Sequence, residues 1–245
     1  MCVSCGNANH AVRSRRDFLK VGALAALAPS TLGSALAADP PKPGGAPPPN
    51  AVSPAEVLKR LMEGNARYAA NNPNERDFSS GRAARAQAQY PVAAILSCAD
   101  SRVAPELLFD QAPGDLFVVR VAGNVVNRDL LASIEYGIHF LGAPLVMVLG
   151  HSGCGAVDAA IKVLKTKAAL PGHLPQLITT IKPAVIVAEK TQNGNLLDNA
   201  IAENVRRQVK RLENSPPVVK KLYAGRKIDI VGAVYDLSTG KVTRV

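Results

Sequence analysis

Two apolar runs that each end abruptly in small, reactive residues constrain this chain more than any other feature. Residues 92–96 lead into Cys98-Ala99-Asp100-Ser101-Arg102, and residues 145–149 lead into His151-Ser152-Gly153-Cys154-Gly155. Short continuous apolar runs suit strands buried on both faces, as in a parallel sheet. Parallel-sheet proteins place their chemistry at such strand ends. A third run, 116–121, reads as another strand buried on both faces. Helical periodicity fills the intervals. Residues 127–141 put Leu130, Leu131, Ile134, Ile138 and Leu141 on one stripe, and 155–167 turn Ala156, Val157, Ala160, Ile161 and Leu164 inward. Segments 176–191 and 196–214 read as two more helices, 228–235 as a strand, and 242–245 as a short strand after a turn. Strand–helix alternation of this kind gives an α/β fold, a mainly parallel β-sheet flanked by helices. Trp is absent and aromatics make up only 4% of the chain, so Val, Ile, Leu and Ala must build the core.

The N-terminal quarter follows different rules. Ser14-Arg15-Arg16-Asp17-Phe18-Leu19-Lys20 resembles the twin-arginine (Tat) transport motif. The Ala-rich stretch 21–36 that follows is broken by Pro29 and Gly33, too short and interrupted for a permanent span. Ala35-Leu36-Ala37 has the small-x-small pattern of a cleavage site, so residues 1–37 read as a signal peptide removed after Ala37. Export by the Tat machinery, to the periplasm or beyond, is the expectation, with no permanent membrane anchor. Residues 38–52 form a Pro-rich linker, with six prolines between Asp39 and Asn50. The functional domain is then 53–245. It opens with a helix at Ser53-Pro54-Ala55-Glu56, where the cap, proline and capping-box positions are all filled. Val57, Leu58, Leu61 and Met62 give that helix an apolar face. It runs to about residue 70, and 81–87 reads as a second short helix.

The formal charge is +10, of which +3 lies in the first 37 residues. Without a recognition module or aromatic–basic interleaving, this charge points to solubility and steering of small anions, with no nucleic acid as partner. Of the four cysteines, Cys2 and Cys5 fall in the signal, leaving Cys98 and Cys154. A disulfide is one reading for an exported chain. The other is a metal site. Zinc prefers thiolate sulfur and imidazole nitrogen, and one tight loop aims both His151 and Cys154 at a single ion. Cys98, 53 residues before His151, joins them only if its strand lies beside theirs. Asp100 follows two residues after Cys98, and Arg102 is placed to hold it in a bidentate pair.

These residues resemble the two signature motifs of the β-class carbonic anhydrases. The similarity continues through residues 113–124 and Ser133-Ile134-Glu135-Tyr136, strongest over 63–163 and looser in the last third. The resemblance implies one Zn²⁺ per subunit on Cys98, His151 and Cys154, and reversible hydration of CO2 to bicarbonate and a proton by zinc-bound hydroxide. It implies that Asp100 orients the hydroxide when Arg102 holds it, and that released Asp100 can close the site as a fourth ligand. It implies that Gln89 hydrogen-bonds a substrate oxygen and that Phe117, with Gly155 near the metal loop, helps form the CO2 pocket. A homodimer or higher even oligomer is implied too, with the N-terminal helix as an arm onto the neighbour. Gln89 also reads as a plain loop residue, Phe117 as strand core, and the helix as packing on its own subunit. One branch of the family carries a Trp where this chain has Ile95, so no inhibitory bicarbonate site is expected. The alternatives are the same fold acting on carbon disulfide or carbonyl sulfide, and a non-catalytic protein with a structural zinc.

Overall fold

A computed structural model describes residues 48–245. The expected signal peptide, the expected cleavage after Ala37 and most of the expected linker lie outside the described residues. Helix α1 (Pro54–Ala69) and the short α2 (Arg82–Gln87) lead into strand β1 (Ala93–Ser97). A helical turn α3 (Pro105–Leu108), strand β2 (Leu116–Arg120), a 3-10 turn at Ala122–Asn124 and helix α4 (Arg128–His139) follow. Then come β3 (Leu145–His151), α5 (Gly155–Thr166), α6 (Leu174–Ala188), α7 (Leu196–Glu213), α8 (Val218–Ala224), β4 (Asp229–Tyr235) and β5 (Val242–Arg244). The sheet order is β2-β1-β3-β4-β5, parallel except for the β4–β5 pair. The expected α/β architecture is therefore present.

Period-two alternation sorts the strand side chains onto two faces. Ile95, Leu145, Met147 and Leu149 pack with Val57 and Leu61 of α1 and with Leu108 and Phe109. Ala94, Leu96, Val146 and Val148 pack on the opposite face with Ile134 and Ile138 of α4 and Val205 and Leu212 of α7. A third cluster joins α5, α6 and α7 to the loops that carry Cys98 and Cys154. In α1 the Ser53–Glu56 capping box forms as read from the sequence. Gly64 is required there, because a Cβ would overlap the Phe109 carbonyl. Among the described residues no helix is long and apolar enough to cross a membrane.

Two expectations need correcting. Strand β2 is an edge strand, and Phe117 and Val118 are only partly buried. The apolar run overstated the burial of its two faces: Phe117 and Val118 are half-buried, and Arg120 at the end of the strand is exposed. Helix α8 was not anticipated; its seven residues follow two prolines and include adjacent valines, a weak helix signal.

Asp110 ties α1 to the chain ahead of β2. Its buried carboxylate meets Arg67 at 2.6 Å and Arg76 at 2.6 Å, and accepts from the Asn74 N–H at 3.2 Å. Burial pushes its pKa up, but these donors pull it further down, below the ordinary carboxylate range. Because the folded value is depressed, the contribution is complete above about pH 4 and is lost as pH falls. Asp110→Ala leaves two partly exposed cations without their partner and should cost about 2–3 kcal/mol, below the usual figure for a fully buried pair. Urea unfolding at pH 7 measures it, and the difference from wild type should shrink toward pH 3.

Candidate metal centre

The sheet order delivers the cysteine and histidine loops to one place. Strands β1 and β3 are neighbours with Ser97 in register with Leu149, so Cys98 leaves its strand beside the segment that carries His151. His151 is the last residue of β3. Gly153 takes a positive φ of 64°, which turns the chain back within two residues, and Cys154 caps the N-terminus of α5. The loop is pinned to the β4 side, with the Ser152 N–H donating to the Tyr235 carbonyl at 2.8 Å and the Leu237 N–H donating to Ser152 Oγ at 2.9 Å.

The ligand atoms of Cys98, His151 and Cys154 lie within 4.8 Å of one another, and all three residues are buried. Both cysteines are free, so the disulfide reading gives way to the metal reading. The histidine supplies the fit test. Its Nδ1 lies 2.9 Å from the Ser152 carbonyl, which can only accept, so Nδ1 carries the proton. That leaves a lone pair on Nε2, which is buried at 0% exposure and has no protein hydrogen-bond partner. An orphaned imidazole nitrogen beside two thiols is costly unless a cation takes it. Two sulfurs and one nitrogen make a donor set that suits zinc.

The sulfurs behave as a coupled pair. The neighbouring Cys154 thiol, against the cost of burial, holds the Cys98 pKa down to about 4. The same Cys98 charge, with burial, pushes Cys154 up. The metal-free pair therefore carries one negative charge, and a cation is needed to draw off the second proton.

Asp100 sits at the mouth of the cluster, its Oδ2 3.8 Å from His151 Nε2. Arg102 grips it with Nε on Oδ1 at 2.9 Å, Nη2 on Oδ2 at 2.7 Å and its backbone N–H on Oδ1 at 3.0 Å. Arg102 holds the carboxyl well below the usual range. Gly155 is the first residue of α5, where a Cβ would meet nothing within 4 Å. Gln89 lies exposed in the loop before β1. The Phe117 ring packs on α4, against Gly137 and 6.1 Å from the Tyr136 ring. Within one chain, then, the structure gathers Cys98, Asp100, Arg102, His151, Cys154 and Gly155, whereas Gln89 lies exposed ahead of β1 and Phe117 packs on α4.

Sequence reasoning missed Arg120. At the end of β2 it donates from Nε to the Cys98 carbonyl at 3.0 Å and from Nη2 to the Asp100 carbonyl at 2.7 Å, clamping the backbone of the loop. The signal was there: a lone charge closing an apolar strand beside another strand's reactive end. Two amides on α7, Asn204 and Gln208, were missed as well. They interrupt a buried stripe made otherwise of Ala200, Ile201, Val205 and Leu212.

Comparison with known proteins agrees with this geometry. The family model described as carbonic anhydrase matches residues 93–242. A carbonic anhydrase of Mycolicibacterium smegmatis is 38% identical over 192 residues, covering 78% of this chain and 92% of that protein. Carbonic anhydrase 2 of Mycobacterium tuberculosis is 37% identical, with 78% and 92% covered. Among solved structures, the Coccomyxa β-carbonic anhydrase in complex with acetazolamide superposes with a TM-score of 0.60 at 30% identity, covering 78% of this chain and 85% of that one. With its strand-end cysteine and histidine loops, its parallel sheet and this similarity over most of its length, the chain belongs to the β-class carbonic anhydrases, a family of lyases.

Proposed function

We propose that this protein catalyses the reversible hydration of CO2 to bicarbonate and a proton, with one Zn²⁺ per subunit held by Cys98, His151 and Cys154. The reading is carried by the buried, unpartnered Nε2 of His151 set beside two free cysteines. Zinc on two thiolates and an imidazole supplies a Lewis acid that acidifies water, less strongly than with three neutral imidazoles, because the thiolates cancel its formal charge.

The chain's own groups do the rest. Asp100, kept ionised by Arg102, is an acceptor that orients the attacking water rather than a proton store, since its pKa lies far below working pH. Arg102 stops that carboxylate from turning onto the cation, and Arg120 fixes the loop from which both project. The apolar cluster that includes Cys98 and Val125, with Val121 packed against it, suits an uncharged substrate. Gly155 leaves room beside Cys154.

Gln89 and Phe117 we assign to the neighbouring subunit's site in a homodimer or higher even oligomer. Support comes from the exposure of Gln89, the partly buried Phe117 and the open side of β2. Tat export of the folded domain to the periplasm, with cleavage after Ala37, rests on residues 14–37.

Stopped-flow CO2 hydration is the test. kcat/KM should rise from pH 6.5 to 9 and disappear on chelation of the metal, returning when zinc is added back. A flat profile, or activity indifferent to chelation, would refute the reading.

A further inference from the structure

Cys98 Sγ receives a backbone donor from outside its own loop, the N–H of Gly123 at 3.2 Å. Gly123 lies in the 3-10 turn after β2 with φ +73°, and a Cβ there would press into Ile181 Cδ1 at 2.7 Å. The orientation of that residue is therefore set by its surroundings. Its carbonyl accepts from Asn204 Nδ2 at 2.8 Å, across 81 residues of sequence. Asn204 Oδ1 accepts in turn from Gln208 Nε2 at 3.3 Å, and Gln208 Oε1 accepts from the Val126 N–H at 2.9 Å. The two amides, one helical turn apart on α7, thus hold both ends of segment 123–126.

Asn204 is 1% exposed and Gln208 3%. Burying two primary amides on the inward stripe of a helix costs free energy unless their bonds are made, and apolar residues of similar volume would stabilise the same packing without that condition. What the amides do that leucines could not is fix a peptide whose N–H is aimed at sulfur.

We propose that Asn204, braced by Gln208, is a positioning residue for the metal-ligating sulfur of Cys98. It acts through the Gly123 peptide, whose N–H withdraws electron density from the thiolate and holds its lone pairs in register with the site. Hydrogen bonds to ligand sulfurs and second contacts of this kind tune a metal's affinity and electronic structure. The inference rests on the zinc reading above.

The test uses the full chain loaded with Zn²⁺ or Co²⁺. The readouts are affinity, by competition with a chromophoric chelator, and the thiolate-to-cobalt charge-transfer band. Asn204→Leu should weaken metal binding about 10- to 100-fold and shift that band. Gln208→Leu should shift it in the same direction with a smaller loss of affinity, and it decides the matter if Asn204→Leu does not fold. Leu212→Ala, a cavity variant one turn beyond Gln208 that removes no hydrogen bond to segment 123–126, should lower the urea midpoint yet leave the band in place. An unchanged band in the amide variants, or an equal shift in Leu212→Ala, overturns the proposal. Failure of the wild-type chain to bind either metal overturns the zinc reading itself, which separates the two failures.

Discussion

Cys154→Ser should leave a folded protein that copurifies with little zinc and hydrates CO2 at least about 10³-fold more slowly, a barrier increase of about 4 kcal/mol. The substitution changes one atom, so the packing of α5 on its neighbours is nearly preserved, and circular dichroism should match wild type. What changes is the donor. A serine hydroxyl does not ionise in the range where the thiol of a metal site does, and it is a poor ligand for a borderline-soft cation. The remaining two donors, Cys98 and His151, are too few to hold zinc against a chelator. The same substitution at Cys98 should act alike, because the two sulfurs share one charge in the absence of metal. Metal content by mass spectrometry, read beside stopped-flow turnover, checks both. Full zinc occupancy with wild-type kcat in either variant would remove the foundation of the assignment.

Arg102→Ala should produce a different loss: zinc retained, kcat lowered about 10²-fold. The Arg102–Asp100 pair is half-exposed at its cationic end, and its contribution to stability is small, so the unfolding midpoint should barely move. The consequence is orientational. Three donors hold the Asp100 carboxylate with one oxygen already 3.8 Å from His151 Nε2. Arg102→Ala removes the two guanidinium donors and leaves only the residue-102 N–H on Oδ1, so the carboxylate is free to swing its Oδ2 toward the Cys98–His151–Cys154 cluster. Arg102→Lys should recover little, because an ammonium cannot grip both carboxylate oxygens in the planar fork. Wild-type turnover in Arg102→Ala would show that Asp100 needs no restraint.

How much of this was legible beforehand depended on distance along the chain. The strands at 93–97 and 145–149, the metal loops and the Asp100–Arg102 pair are local patterns, and the parallel sheet follows from their alternation with helices. The meeting of Cys98 with His151 needed one further condition, that β1 and β3 be neighbours, and the topology meets it. Arg120 and Asn204 stayed hidden because their partners are backbone carbonyls 20 to 81 residues away, and no periodicity marks a carbonyl as a partner. The edge position of β2 was hidden for a related reason: Phe117 and Val118 are apolar enough for a central strand, and only the strand order reveals that one of their sides is open.

That open side carries a consequence for handling the molecule. Strand β2 has a strand partner on one side only among the described residues, so its outer row of amide and carbonyl groups is a template for any extended segment that reaches it. Nothing along residues 116–119 discourages such pairing: the run is Leu-Phe-Val-Val, and the first charge comes only at Arg120. Were the subunits of the proposed oligomer to separate on dilution, this edge would favour precipitation, and the activity lost would not all return on reconcentration.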